Sequence, residues 1–249
     1  MTNPIYSIII VTLNKEVSMK KLDGLSVFFP AYNEEDNIET VVRKALNVLP
    51  SFAEEFEIIV VDDGSTDRTA EFARTIAHKD RRVHLVLHGS NRGYGAALKT
   101  GFRSAKYDNI FFTDGDGQFD VKELDRLIPL YHKCDIAAGY RIKRNDPPHR
   151  VINGKAYNFL VRLLFGLRVR DIDCAFKLIR KKVVDSIELR SNAAFISAEL
   201  LIRSGKAGFR IEQTGVNHFS REKGSSTGNN PLVVIRSFRE LFKLRKELA

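Results

Sequence analysis

From residue 25 onward, short apolar runs alternate with stretches whose apolar residues recur at helical spacing, and that alternation leaves few folds open. Strands that are apolar on both faces must be covered on both faces, so the pattern reads as a mostly parallel α/β sheet with crossover helices. Five strands are expected, at 25–29, 56–61, 83–87, 109–113 and 135–139. Ile38, Val41, Val42, Ala45, Leu46 and Leu49 predict a helix that Pro50 ends, and Val121, Leu124, Leu127, Ile128 and Tyr131 predict another. At 249 residues and 43% hydrophobic content the chain can bury one good-sized core. One main unit over 25–228 and a basic amphipathic helix over 229–249 are therefore expected. Residues 1–24 read as a leader or an extra strand. Ser7 to Asn14 echoes Leu25 to Asn33, and Met19 stands just before the better-formed copy, so translation starting at Met19 with a dispensable leader is the expectation. An extra edge strand is the alternative.

The formal charge of +9 calls for something anionic: nucleic acid, a membrane surface or a phosphorylated substrate. No RNP aromatic signature and no Cys/His finger spacing supports nucleic acid, which is not expected as a partner. Cys134 and Cys174 share no metal-ligand spacing and read as reduced core residues. No apolar stretch reaches the eighteen or more residues that a bilayer-spanning helix requires.

In open α/β sheets ligands bind beyond the carboxyl ends of the strands. Those positions here carry Pro30-Ala31-Tyr32-Asn33-Glu34, Asp62-Asp63-Gly64-Ser65, Asn91-Arg92-Gly93-Tyr94-Gly95, Asp114-Gly115-Asp116-Gly117-Gln118 and Tyr140-Arg141. Any one of these could be an ordinary turn or cap. Asp114 and Asp116 are the sharpest signal: two carboxylates at alternate positions can converge on a hard cation, Mg²⁺ or Mn²⁺, with Gly115 leaving room for a phosphate and Gln118 adding a neutral oxygen. An EF-hand loop fails twice, having Phe119 where glycine belongs and Asp125 where glutamate belongs. An Asp-x-Asp-Gly phosphatase would want a hydroxyl or small apolar residue at Gln118. A dinucleotide-binding fingerprint is missing after the first strand, and Gly93-Tyr94-Gly95 lacks the third small residue at Leu98.

Taken in order, Pro30 to Glu35, Val60 to Asp67 and Asp114 to Gln118 resemble the motifs of the family 2 glycosyltransferases of GT-A fold, and within them the polyprenyl-phosphate hexose synthases. The resemblance runs over about residues 25–245. It implies an α/β fold of GT-A type, a Rossmann-like mostly parallel sheet flanked by helices. It also implies that Pro30, Tyr32 and Glu34 line a nucleoside pocket, that Val61 and Asp63 contact base or ribose, and that Asp114, Asp116 and Gln118 bind the metal while Gly115 approaches the donor. Arg141 would reach phosphate oxygens, and Arg221 to Ser226 resembles a basic loop folding over the diphosphate. Where the family often has lysine stands Thr227, with Lys223 as its substitute. Asp171 to Lys177 resembles the acceptor-side motif, with Ala175 in place of a more usual glycine; Asp171 is the expected acceptor carboxylate, with Asp173 the alternate. An acidic turn paired with Arg168 or Arg170 is the plain alternative. Glu199 matches a further acidic position, or is a helix-surface charge.

The implied reaction is metal-dependent, inverting transfer of a hexose from a UDP- or GDP-sugar. A hydroxyl acceptor would need Asp171 as general base, whereas a lipid phosphate is already anionic and would need it only for orientation. Two stretches bear on the acceptor. Val151, Ile152, Tyr157, Phe159, Leu160, Leu163, Leu164 and Phe165 mix with Lys155, Arg162 and Arg168, and Leu232, Ile235, Phe238, Leu241 and Phe242 are expected to share a face opposite Arg236, Arg239, Lys243, Arg245 and Lys246. Such helices lie in a membrane interface or pack on a core with a solvated basic face. With the resemblance added, a polyprenyl-phosphate acceptor and peripheral contact with the cytoplasmic face of a membrane are expected. The competing readings are a soluble or glycan acceptor, and a basic lipid- or nucleic-acid-binding module on a degenerate fold.

Overall fold

The computed structural model describes residues 20–143, 148–221 and 231–248; the leader up to Met19 and Lys223 lie outside them. Seven strands form one sheet: β1 (Leu22–Ala31), β2 (Ala53–Asp62), β3 (Val83–Leu87), β4 (Asn109–Thr113), β5 (Ile136–Arg141), β6 (Phe176–Arg180) and β7 (Ile211–Val216), in the order β3-β2-β1-β4-β6-β5-β7. Every neighbouring pair is parallel except those of β6, which runs antiparallel between β4 and β5. All five expected strands are present. The helices are α1 (Ile38–Val48), α2 (Thr69–Lys79), α3 (Tyr94–Ser104), α4 (Leu124–Tyr131), α5 (Pro148–Phe165), α6 (Lys181–Asp185), α7 (Ile196–Lys206) and α8 (Pro231–Glu247).

The period of two along β1 divides its side chains between two cores. Val27 and Phe29 join Val42, Leu124, Leu127 and Tyr131 under α1 and α4. Phe28 joins Ile59, Val61, Leu98, Phe112 and Leu200 under α3 and α7. There Phe28, Phe102 and Phe112 form a cluster with ring centroids 5.1–5.6 Å apart, two of the three contacts edge-to-face. Both faces of the sheet are thus sealed, which leaves its strand ends as the place for chemistry.

On α5 and α8 both readings hold in part. Tyr157, Val161, Leu241 and Leu244 are buried, and the Tyr157 and Phe238 rings meet edge-on at 5.3 Å. Ile152, Phe159 and Leu163 on α5, with Ile235 and Phe242 on α8, face solvent instead. The single apolar face expected of α8 is therefore split, with Leu241 inward and Ile235 and Phe242 outward.

Candidate active site

The six co-directional strands bring the ends of β1, β2 and β4 to one rim, and β1 ties the other two together. Asp63 N donates to Ala31 O at 2.9 Å and Gly115 N to Pro30 O at 3.3 Å. Past β1 the chain turns through Asn33, whose φ of 56° is in the left-handed region that asparagine tolerates. The Ser65 to Thr69 segment holds that turn. Ser65 Oγ accepts from Asn33 N at 2.9 Å, Asn33 Oδ1 accepts from Thr66 N at 2.9 Å, and Thr69 Oγ1 accepts from Glu34 N at 2.7 Å. Tyr32 is left 38% exposed on the rim.

Asp114 and Asp116 emerge beyond β4. The Tyr94 hydroxyl donates to Asp114 Oδ1 at 2.8 Å, and Gln118 N donates to Asp116 Oδ1 at 3.0 Å. Glu123 accepts from the backbone and side chain of Asn217, and Phe219 N donates to Gln118 O at 2.9 Å, so the segment after β7 lies across this loop and delivers Arg221. The Arg221 guanidinium meets Glu34 Oε1 at 2.7 Å and Asp116 Oδ2 at 3.7 Å. Burial, followed by the Asp116 charge, pushes Asp114 up to about 7. Burial likewise raises Asp116 and Glu34, against the opposing pull of Arg221. Burial and then the Asp114 carboxylate hold the Tyr94 phenol well above its ordinary value.

Two desolvated carboxylates that resist ionisation side by side fit a divalent cation, which would relieve both desolvation and mutual repulsion. Among the described residues no group of three or more His, Cys, Asp or Glu is placed to hold one, so a cation at Asp114 and Asp116 would take its other ligands from elsewhere. The Gln118 amide nitrogen donates to Phe219 O at 3.0 Å, a bond that does not use the side-chain oxygen expected to serve the metal. Gly115 is buried, and a Cβ there would stand 3.3 Å from both Pro30 O and Ile38 Cδ1. Its lack of a side chain serves contact with β1.

Other expected site residues fall into place less directly. Val61 is fully buried in the core under α3 rather than on the rim surface. Asp63 is buried and saturated: Oδ1 meets His88 Nδ1 at 2.6 Å and accepts from Arg92 N at 3.0 Å, while Oδ2 accepts from Gly93 N at 2.8 Å. Its role here is to fix the 91–93 loop, where Gly93 adopts a φ of 95° and a Cβ would stand 2.3 Å from Asn192 O.

Arg141 and Asp171, expected to serve donor and acceptor separately, form one pair. Nε donates to Oδ2 at 2.6 Å and Nη2 to Oδ1 at 2.8 Å, with both side chains largely buried. Burial disfavours the Arg141 charge, but its bonds to Asp171 outweigh that and raise its pKa. The plain alternative of Arg168 or Arg170 as partner is replaced by Arg141. Asp173 is exposed at the same turn. Glu199 is no surface charge: it is 2% exposed and accepts from Arg190 N at 3.0 Å, Ser191 N at 2.8 Å and Arg203 Nε at 2.8 Å.

Sequence reasoning gave no role to Tyr94, His88 or Lys177. Lys177 is fully buried in β6, with Nζ donating to the carbonyls of Cys174 and Ile172 and lying 5.5 Å from the Phe112 ring centroid. Burial lowers its pKa against the pull of Cys174, Asp173, Asp171 and Asp114. A lysine directly after the acidic turn is the one signal that could have marked it.

Comparison with known proteins places the chain in a family. The model of the family described as "Glycosyl transferase family 2" matches residues 26–188. Polyprenol monophosphomannose synthase of Mycolicibacterium smegmatis is 31% identical over 219 residues, 82% of this chain and 81% of that protein. Glycosyltransferase AglD of Haloferax volcanii is 34% identical over 203 residues, 78% of this chain but 32% of that protein. Undecaprenyl-phosphate 4-deoxy-4-formamido-L-arabinose transferase of Edwardsiella ictaluri is 29% identical over 83% of this chain and 63% of that protein. The chain thus spans between about a third and two thirds of the length of these last two relatives. Among solved structures, glucosyl-3-phosphoglycerate synthase from Mycobacterium tuberculosis superposes with a TM-score of 0.70 over 88% of this chain and 79% of that one at 18% identity, a likeness of fold, the GT-A type. With more than half its length under the family model, this chain belongs to glycosyl transferase family 2.

Proposed function

We propose that the chain transfers a hexosyl group from a UDP- or GDP-sugar to a polyprenyl phosphate, inverting the anomeric centre, with Mg²⁺ or Mn²⁺ held by Asp114 and Asp116. The observation that carries this reading is the desolvated Asp114/Asp116 pair on the rim, with Arg221 beside it and Tyr94 holding Asp114. A cation there would neutralise charge on the departing diphosphate. Arg221 would swing from Glu34 and Asp116 toward phosphate oxygens, a guanidinium fork suited to them. Tyr32 would stack on the base, with Glu34 as an acceptor beside it. An acceptor oxygen attacks the anomeric carbon as the bond to the donor phosphate breaks, and the electron pair leaves on the diphosphate.

The engagement of Asp171 supports a phosphate acceptor. A carboxylate gripped through both oxygens by Arg141 is a poor base for a hydroxyl, whereas a phosphate oxygen needs none. The names of the mycobacterial and Edwardsiella relatives, polyprenol monophosphomannose synthase and undecaprenyl-phosphate 4-deoxy-4-formamido-L-arabinose transferase, point the same way. Solved structures of glucosyl-3-phosphoglycerate synthase contain UDP with Mn²⁺ or Mg²⁺. Peripheral binding at the cytoplasmic face of a membrane completes the reading. The exposed Ile152, Phe159, Leu163, Ile235 and Phe242 stand among Lys155, Arg162, Arg236, Arg239 and Lys243, and no described helix is long and apolar enough to cross a bilayer. Incubation with UDP- and GDP-hexoses, Mn²⁺ and undecaprenyl phosphate should yield a hexosyl lipid recoverable in organic solvent. Product on glycan or soluble acceptors alone would overturn the lipid acceptor.

A further inference from the structure

A cavity of about 440 Å³ opens beside α3, lined by His88, Arg92, Ala96, Lys99, Thr100, Arg103 and Asn192. No carboxylate lines it, and three of its seven residues are cations. Elsewhere on the molecule arginines find acids: Arg68, Arg82, Arg141, Arg203 and Arg221 each hold a carboxylate within 2.6–2.8 Å. Arg92, Lys99 and Arg103 hold none among the described residues. Lys99 Nζ donates to Asn192 Oδ1 at 2.6 Å and to Arg190 O at 3.3 Å, which aims the ammonium and leaves its third N–H unspent. Among the described residues Arg103 Nη2 donates to Thr100 Oγ1 alone, at 3.4 Å, and the Arg92 guanidinium has no acceptor.

The wall is also preorganised. His88 is buried and pinned at both ring nitrogens, by Asp63 at 2.6 Å and Thr100 Oγ1 at 3.0 Å, and Gly95 N donates to Asn192 O at 3.0 Å, locking the far wall to the start of α3. Three like charges gathered around one concavity repel unless an anion joins them, and such an arrangement concentrates anions electrostatically. The cavity adjoins the rim through Arg92, in the loop after β3, but Asp114, Asp116, Glu34 and Arg221 do not line it.

We infer that this cavity is a second anion site, taking a phosphate-bearing group of two or more negative charges, with Arg92, Lys99 and Arg103 as its donors. Charge-assisted bonds from guanidinium and ammonium groups are the usual means of holding phosphate, and three cations exceed what a monoanion needs. Free pyrophosphate and the phosphate of a lipid headgroup share this chemistry. The inference does not depend on the proposed transfer reaction.

Thermal denaturation and calorimetry in EDTA, which removes cation-dependent donor binding, test it with inorganic pyrophosphate and with water-soluble dihexanoyl phosphatidic acid. Pyrophosphate, the lipid, or both should raise Tm, and Lys99→Ala/Arg103→Ala and Arg92→Ala should each weaken that binding about tenfold or more. Arg221→Ala, on the donor rim, should retain it. Tighter binding of pyrophosphate identifies a free polyphosphate as the occupant, and tighter binding of phosphatidic acid a lipid headgroup. No response to either probe, or a response that survives the α3 substitutions and disappears with Arg221→Ala, would overturn the site.

Discussion

Asp114 has opposite consequences for stability and for binding. Its folded pKa, about 7, lies above the 3.8 of an unperturbed aspartate, so between those values the folded chain binds more protons than the unfolded one. For an acid shifted upward, stability is therefore highest below about pH 4 and declines as pH rises through the folded value. Asp114→Asn in EDTA should raise stability at pH 8, by up to about 4 kcal/mol for the rise from 3.8 to about 7 at about 1.4 kcal/mol per pKa unit, and leave it little changed near pH 4. Urea titrations at the two pH values measure this; equal gains at both would show that the carboxylate is not held at a raised pKa. The same substitution should cut transfer by about 10²–10³-fold, the scale for losing one group that stabilises developing charge. Asp171→Asn should cost less. A matching or larger loss there would make Asp171 the base that a hydroxyl acceptor requires. The acidic pair, Arg221 and Glu34 were legible in sequence because each follows a strand or sits in an ordered motif. Tyr94 and His88 were not, because their partners Asp114 and Asp63 are brought to them by folding, from 20 and 25 positions away, and Lys177 was not, because its place inside the core, and not its local carbonyl partners, makes it unusual. Asp63 shows the converse case, a motif residue whose bonds are consumed within the chain.

At the scale of elements, the loop at 190–193 depends on a charge buried in α7. Glu199 accepts two backbone N–H bonds from that loop, and the loop's Asn192 carbonyl then accepts from Gly95. Glu199→Ala should destabilise the fold by about 3 kcal/mol, because it orphans two backbone donors and part of Arg203, which keeps Glu247. Chemical denaturation gives the value, and a change under about 0.5 kcal/mol would mean the loop is held by other contacts. Strands rich in apolar residues announced themselves as apolar runs, and β1 to β5 were read at nearly their observed positions. β6 was hidden by its own lysine, since Phe176-Lys177-Leu178-Ile179-Arg180 reads as the tail of an acidic motif until Lys177 is seen capping carbonyls from within the core. β7 was missed for another reason: Ile211-Glu212-Gln213-Thr214-Gly215-Val216 pairs only with β5 at the sheet edge, and most of its residues are half-buried. β3 is an edge strand too, but its Val83-His84-Leu85-Val86-Leu87 has four apolar residues of five, whereas β7 has two of six.

At the scale of the whole molecule, the fold gathers its rim at one end of the sheet and leaves apolar side chains of α5 and α8 in solvent among basic ones. Binding to phosphatidylglycerol vesicles should fall at least about tenfold in Phe159→Ser/Leu163→Ser, each exposed serine removing roughly 1.5–3 kcal/mol of insertable apolar side chain. Stability should stay within about 0.5 kcal/mol of the parent, as is usual for exposed positions. Vesicle sedimentation decides this, and undiminished pelleting of the double variant would exclude these helices as the contact. Composition alone, at +9, calls for an anionic partner without choosing one; the structure sets cationic side chains at the donor rim, around the cavity beside α3 and along the exposed face of α5 and α8.

The central claim is that Asp114 and Asp116 grip a divalent cation on which sugar-nucleotide binding depends. Isothermal titration with a panel of UDP- and GDP-hexoses, run with Mn²⁺ and again with EDTA, tests it most directly. At least one donor should bind with Mn²⁺, lose that binding in EDTA, and lose it again in Asp114→Asn/Asp116→Asn. Donor binding that is equal with and without the cation, or untouched in the double variant, would contradict the account.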